Sequence, residues 1–429
     1  MPRLPSAALL ALLCAAWPVA AAGAVPDDPG LERVRTVVSG IERFYPAPVD
    51  LPATVARGVE AVRREAQASP EAFGRCMGPG AGREAAPDSA ARLVSRAVGC
   101  AGQAPERSEA LIDEALRAMV GGLDRESRYY GPQDMASLRA LGSAGATGLV
   151  VEKLGQAFRI VSTRPGSPAR AAGLAGGEIL LAIDGAPIAS RSFDEIGKML
   201  AGTAGSRVRL TLGDGRGAGR DIELDRVRSD SLPDVEAVVR DGVLVLSLYA
   251  LGSILEYHVR RAVAAEEAPF RAVLIDLRSN RGGIFDQAWA IPDAFLEDGL
   301  IVTTRGARNR KRNYRARKGS TMPDVPVVVL VNQDTAAGAE VVAAALQDNK
   351  RAIVAGRTTS GASSIQSLIP LSPERAYRLT TAYAYRPDGR ALAEAPVVPD
   401  CPSAAHGEAA LRQGLALAAG DRSACAGAP

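Results

Sequence analysis

Residues 272–283, Ala272-Val273-Leu274-Ile275-Asp276-Leu277-Arg278-Ser279-Asn280-Arg281-Gly282-Gly283, decide the fold of the second half of the chain. An apolar run of strand length passes into a polar turn closed by two glycines, and Phe285 to Leu296 then takes up a helical period. The same unit recurs on both sides. Val243 to Leu248 reads as a strand before a helix from Ser253 to Ala265, and Val325 to Val331 as a strand before a helix from Ala336 to Gln347. Strands and helices in alternation imply an α/β layered domain over residues 227–400, with a C-terminal helix or tail over 401–429.

Upstream the period changes twice. Residues 145–226 hold short β-rich runs broken by Gly and Pro: Phe158 to Val161, Ile179 to Ile183, Val208 to Leu212 and Ile222 to Leu224, with room for two short helices. Residues 25–141 are helical in pattern, with Leu111, Ala115, Leu116, Met119 and Val120 recurring at three- and four-residue spacing. Within them Cys76 to Gln103 is rich in Gly, Pro and Ala with few apolar anchors, and reads as an insertion held by a disulfide. The run Arg305 to Lys318 carries eight basic residues and no acidic one; lying between two strands, it reads as a solvated hairpin.

A chain of 429 residues, 47% hydrophobic and 23% charged, is expected to fold as two or three units. Its net charge of +3 and 4% aromatic content make no case for nucleic acid as a partner. The first 24 residues read as a secretory signal: Arg3, an apolar stretch from Ala7 to Ala16, and the small-residue site Ala22-Gly23-Ala24. No later segment has ~20 uninterrupted apolar residues, so no stable membrane insertion is expected and the mature chain is placed in the periplasm or secreted. Removal of the leader leaves Cys76, Cys100, Cys401 and Cys425, an even number suited to disulfides in an oxidising compartment. The local pairs Cys76 with Cys100 and Cys401 with Cys425 close loops of similar length, although four cysteines allow three pairings. With no Cys-x-x-Cys, and with His258 and His406 reading as solvated helix residues, neither a metal nor a cofactor is indicated.

Three sets of motifs carry a resemblance. Gly121-Gly122-Leu123-Asp124 with Ser127-Arg128-Tyr129 resembles the helix and turn before the PDZ domain of tail-specific, or C-terminal processing, serine peptidases. Gly166-Ser167-Pro168-Ala169, Ala172-Gly173-Leu174 and Glu178-Ile179-Leu180 to Ile183-Asp184-Gly185 resemble the middle of a bacterial protease PDZ domain. Ile275 to Gly283, Leu330-Val331-Asn332, Ala345 to Ala352 and Leu379-Thr380-Thr381-Ala382 with Pro387-Asp388-Gly389-Arg390 resemble the peptidase domain itself, whose fold is shared with crotonases and Clp-type proteases. The resemblance spans roughly Leu111 to Asp400, and it implies three parts: a helical N-terminal region, a mostly-β PDZ domain and a crotonase/Clp-like α/β domain. A PDZ domain takes an extended chain as an added strand and holds its terminal carboxylate on loop amides. By resemblance that loop is Gly148 and Leu149, which keep one of the glycines of the family's Gly-Leu-Gly.

The family cuts with a serine whose proton passes to a lysine. Its Ser-Ala-Ser-Ala-Ser-Glu motif stands here as Thr335-Ala336-Ala337-Gly338-Ala339-Glu340, and Phe-Gly-Lys-Gly-x-Val-Gln as Ser360-Gly361-Ala362-Ser363-Ser364-Ile365-Gln366. The nucleophile position is therefore Ala337 and the base position Ala362, 25 residues apart as in the family. Gln366, four residues beyond, matches the glutamine that orients the lysine, and the amides of Gly283 and Gly338 match the oxyanion hole. A methyl group neither attacks a carbonyl nor accepts a proton. The resemblance thus implies a pseudoprotease that binds polypeptide C-termini, unfolded or periplasmic proteins, or another partner protein, with a homo-oligomer left open. The rival expectation is an active serine-type peptidase with a non-standard nucleophile among Thr335, Ser360, Ser363 and Ser364. No lysine or histidine lies nearby in sequence to activate any of these; Lys350 is expected on the surface at the far end of the helix.

Overall fold

The computed structural model describes residues 29–78, 86–102, 105–142, 144–213, 219–319, 322–362 and 364–425, so the leader read at residues 1–24 lies outside it. The helices are α1 (Pro29–Phe44), α2 (Leu51–Glu65), α3 (Pro70–Met77), α4 (Pro87–Cys100), α5 (Pro105–Gly121) and, after strand β1 (Arg128–Tyr130), α6 (Pro132–Gly142). A proline stands in the first two positions of each, where its missing N–H breaks no intrahelical bond and its fixed φ suits the helix. Val34, Val38 and Ile41 of α1 meet Val55 and Val62 of α2 and Leu116 and Met119 of α5 in one buried core.

The stretch read as an insertion held by a disulfide carries that bond, and its described residues also pack into the core. Its second half is α4, whose Ala90, Ala91, Val94 and Ala97 form a buried face in that same core. Alanine is a weak signal of burial in a sequence, yet it lets α4 lie close against α1 and α2. Cys76 and Cys100 are bonded, Cα–Cα 5.7 Å, and tie α3 to α4.

The middle unit comprises β2 (Ala144–Ala146), β3 (Leu149–Leu154), β4 (Ala157–Thr163), α7 (Pro168–Ala171), β5 (Ile179–Ile183), β6 (Ala186–Pro187), α8 (Phe193–Leu200), β7 (Gly202–Thr203), β8 (Arg207–Gly213), β9 (Arg220–Asp225) and β10 (Val227–Arg228). Strands β3, β4, β5, β8 and β9 pair in that order, β6 joins β5, and β2, β7 and β10 form a small separate sheet. Period-2 burial puts Val208, Leu210 and Leu212 inside and Arg207 and Arg209 outside. Helix α8 starts on a capping box in which Ser192 and Glu195 exchange hydrogen bonds.

The last unit begins with β11 (Val235–Arg240) and β12 (Val243–Leu248), followed by α9 (Leu255–Ala264), β13 (Ala272–Asp276), α10 (Phe285–Phe295), the hairpin β14 (Leu300–Gly306) and β15 (Lys311–Arg315), and β16 (Val327–Val331). It continues with α11 (Gly338–Asp348), β17 (Ile353–Gly356), β18 (Ser364–Ser372), β19 (Arg375–Tyr385), β20 (Cys401–Pro402) and α12 (Gly407–Ala418). One sheet runs β11-β12-β13-β16-β17-β20 and is parallel from β12 to β20. Because helices cover both of its faces, β13 and β16 bury every residue, which is why they read as unbroken apolar runs. The second sheet runs β1-β19-β14-β15 with β18 on β19. Strand β1 thus anchors the helical region to the α/β unit, reinforced where Asp113 of α5 accepts from Tyr129 Oη at 2.7 Å and from Arg375 Nε at 2.9 Å.

The segment read as a C-terminal helix or tail forms α12 and belongs to the α/β layer. Strand β20 extends the parallel sheet, Leu411 and Leu417 of α12 pack on Leu330, and Cys401 is bonded to Cys425. Among the described residues no helix is long and apolar enough to cross a membrane.

Candidate active site and peptide groove

Ala337 stands between β16 and α11 with φ 52° and ψ −123°, a conformation that places the residue on a sharp strand-to-helix turn. Its amide donates to Glu340 Oε2 at 3.1 Å, which is how a Glu at the third helical position satisfies the residue before the helix. The other oxygen of Glu340 accepts from Thr359 Oγ1 at 2.5 Å and from the Gly361 amide at 2.8 Å. One fully buried carboxylate therefore binds the turn of Ala337 to the loop of Ala362. Burial pushes Glu340 above the ordinary carboxylate range, and the bonds from Thr359 and the amides of Gly361, Ala337 and Ala362 pull it back.

The loop after β13 closes the third side. Leu251 donates its amide to the Gly282 carbonyl and accepts from Ile284, which pins the two glycines. Gly283 has φ +150°, and a Cβ there would lie 2.4 Å from the Leu251 carbonyl oxygen, so no other residue fits. Among the described residues nothing accepts from the amides of Gly283 or Gly338. Those are the two donors that the resemblance assigns to an oxyanion.

Gln366 on β18 donates to Thr380 Oγ1 at 2.8 Å and Ser364 Oγ at 3.0 Å, while the other end of its amide is buried without a partner. Thr380, itself buried, donates its amide to Ser127 Oγ at 3.1 Å, so the motif that follows α5 reaches into the wall of this site. The rival hydroxyls are poorly placed. Thr335 is buried and donates to the Leu277 carbonyl at 2.9 Å; Ser360 is exposed; Ser364 is engaged by Gln366; Ser363 lies outside the described residues. Lys350 is exposed at the end of α11.

The middle unit holds a groove of about 260 Å³ between β3 and α8, lined by Gly148, Leu149, Val151, Phe193, Gly197 and Leu200. Gly148, at φ +77°, crosses so close to Ser167 that a Cβ would lie 2.1 Å from the serine Cβ. Strand β3 pairs with β4 on one edge and faces the groove with the other. Beyond the groove, the Lys153 amide donates to Asp334 Oδ2 at 2.8 Å and its carbonyl accepts from Gln333 at 2.8 Å, in the loop that leads to Ala337. Tyr249 and Ser279 of the α/β unit also line the groove.

The middle unit is thus docked on the α/β unit through the loop before Ala337. Residues 253–403 match the model of peptidase family S41, and residues 159–212 match that of a PDZ domain. The carboxy-terminal-processing protease of Bartonella bacilliformis is 31% identical over 301 residues, 68% of this chain and 69% of that protein. The chain belongs to peptidase family S41, the carboxy-terminal processing proteases. The carboxyl-terminal-processing protease of Synechocystis is 30% identical over 310 residues, 69% of this chain and 72% of its own length. The photosystem II D1 C-terminal processing protease shares the fold at TM-score 0.54 and 23% identity, covering 83% of this chain and 94% of that one.

Sequence reasoning missed two features of this S41 chain. Glu340 joins both motif segments, and its signal was a Glu three residues into a helix that opens on a small residue. His406 is not a solvated helix residue. It precedes α12 with its ring against Glu152 of β3, Nδ1 to Oε1 3.0 Å, and Nε2 against Arg357. Glu152 is buried and also accepts from Asn332 at 3.1 Å. Domain packing, invisible to local pattern, brings these groups together. His258, on α9, is half-buried beside Tyr257.

Proposed function

We propose that this chain is a non-cleaving S41 homologue, exported to the periplasm, that captures polypeptide C-termini in its PDZ groove and holds the extended chain against the peptidase domain. The observation that carries the reading is alanine at both 337 and 362, the positions that the motif resemblance gives to the family's nucleophile and base. Loss of members of such a unit lowers turnover by on the order of 10⁶, leaving what binding and an oxyanion hole supply. The relatives' names speak of processing carboxy termini, and the groove between β3 and α8 has the form for such ligands: apolar walls, an open strand edge, and the turn of Gly148 and Leu149 at its end. Strand addition satisfies the ligand backbone, and the loop amides take the carboxylate.

Two measurements test it. A fluorescent peptide with an apolar C-terminus should bind with at least roughly tenfold higher affinity as the free acid than as the amide, since a charge-assisted bond is lost. Equal anisotropy curves would remove carboxylate capture from the account. A fluorophosphonate probe should leave the purified protein unlabelled; covalent labelling of any serine or threonine would return the chain to the active peptidases.

A further inference from the structure

The basic run Arg305 to Lys318 is absorbed by neither the groove nor the peptidase site. In the structure it forms the end of β14, a tight turn, and β15, which is the last strand of its sheet. Arg308 and Asn309 both have positive φ, 55° and 56°, as a two-residue hairpin turn requires. Gly306 donates to the Arg310 carbonyl and Ala316 to the Gly299 carbonyl, so the even-numbered residues of β15 bond inward to β14. By the alternation of an antiparallel ladder, Lys311, Asn313 and Arg315 point their N–H and C=O groups away from the sheet. Nothing among the described residues pairs with that edge, and all three residues are exposed.

The charges on this edge are barely compensated. Arg317 pairs with Asp293 at 2.6 Å, and Arg315 reaches Asp298 only at 3.7 Å. Arg305 lies over Tyr385 and Arg312 over Tyr314. Among the described residues Arg308, Lys311 and Lys318 have no acidic partner. The strand is nonetheless held firmly from beneath, because Tyr314 packs on Phe285 and Trp289 of α10 at ring distances of 5.2 and 5.6 Å. Phe285 begins the helix that follows the Gly282-Gly283 loop.

We infer that the outer edge of β15 is a second polypeptide-binding site, which takes an acidic extended segment of a partner protein as an added strand. Outward N–H and C=O groups would satisfy the segment's backbone, while carboxylates at alternate positions would lie beside Lys311 and Arg315, which share a face. Charge selects the occupant. A second copy of this chain would oppose lysine and arginine to their like, the device by which proteins keep edge strands from pairing with themselves. The site is separate from the PDZ groove and makes no use of a C-terminal carboxylate.

The test is fluorescence anisotropy with a labelled, C-terminally amidated peptide of alternating Glu and Val, which the PDZ groove has no carboxylate to hold. The expected result is binding that weakens as salt rises, falls by roughly tenfold or more in Lys311→Glu/Arg315→Glu, and is abolished by N-methylation of alternate peptide amides. Asn313→Pro keeps every charge and every inward backbone bond, gives up only the side-chain bond from Thr303 Oγ1 to Asn313 Oδ1, and removes one outward N–H. It should also abolish binding, whereas Asn313→Ala, which loses the same side-chain bond but keeps the N–H, should not. Circular dichroism melts check that each variant folds. Unchanged binding of the N-methylated peptide or of Asn313→Pro would show mere charge attraction and overturn the inference. So would failure of the wild type to bind the peptide, or capture of phosphatidylglycerol vesicles through Lys311 and Arg315 in its place.

Discussion

Replacing Ala337 by glycine should stabilise the protein, although the same exchange almost anywhere else in a helix or turn weakens one. Ala337 holds φ 52° and ψ −123°, where a Cβ is crowded by its own backbone. A residue other than glycine kept in such a region stores roughly 1–3 kcal/mol. The bond from the Ala337 amide to Glu340 and the packing of the Gly282-Gly283 loop hold the turn in place whichever residue occupies it. Glycine removes the strain and returns about 0.5–1 kcal/mol through its freer unfolded chain. The net gain is about 1 kcal/mol, worth about 2–4 °C in Tm for a unit of this size. Differential scanning calorimetry of wild type and Ala337→Gly at one scan rate measures it. Ala262→Gly, at a half-buried position of α9, is the control and should lose about 1 kcal/mol. If Ala337→Gly melts as low as the control, the turn relaxes without its serine and the argument for a retained catalytic frame fails.

Other outcomes follow from the same geometry. Ala337→Ser with Ala362→Lys should recover cleavage of an unfolded substrate, detected by mass spectrometry, and neither change alone should, since nucleophile and base act as a unit. An inert, folded double variant would mean that the site has decayed further. Glu340→Ala strands the buried Thr359 hydroxyl, at about 1–3 kcal/mol, and the half-buried amides of Ala337 and Gly361, and should lower the urea midpoint far more than a surface exchange; a change under about 1 kcal/mol would refute the clamp. Thiol titration of the denatured, unreduced mature protein should find no free cysteine, and two or more free thiols would reject the pairs Cys76–Cys100 and Cys401–Cys425. Burial holds His406 below its ordinary value, and Arg357 and Arg159 act with it while Glu152 opposes them. As pH falls through about 6.5 the unfolded chain therefore takes the proton first, and stability present above that value is lost. His406→Gln should flatten the fall of Tm between about pH 7.5 and 5.5; an unchanged slope would show that His406 does not titrate against the seam.

The fold was legible wherever burial repeats with a fixed period. The strands read at Val243–Leu248 and Ile179–Ile183 have those bounds in the structure, and the helices of the α/β unit differ from expectation by a residue or two at their ends. Helix α4 was not legible because its buried face is mostly alanine, which patterns weakly although it packs tightly. The assignment of the nucleophile and base positions to Ala337 and Ala362 rests on the motifs that flank them. The clamp of Glu340, the seam of Glu152 with His406 and the support of Gln366 by Thr380 could not, since each joins segments that meet only in the folded chain. The basic run was placed correctly as a hairpin, but the open edge that gives it a use depends on strand order.

What the site keeps and what it lacks divide along a physical line. Gly283 is fixed by a carbonyl that leaves no room for a side chain, and Glu340, itself fully buried, by the three donors it satisfies, so both serve the fold whether or not a bond is cut. A serine hydroxyl and a lysine amine hold nothing comparable together, and an amine inside a dehydrated site opposes folding unless it is paired or neutral. On the proposed reading alanine at 337 and 362 is then tolerated; one end of the Gln366 amide is buried without a partner. By resemblance Gln366 is the residue that orients a lysine at 362, and Ala362 is exposed. A long polar side chain there can stay solvated or offer a donor to the orphaned oxygen, whose lack of a partner costs about 1–3 kcal/mol. Lysine at 362 should therefore be accepted by the fold more easily than a leucine of similar bulk, and the two single variants, ranked by urea midpoint, decide it: Ala362→Leu as the more stable would mean that Gln366 no longer serves the position.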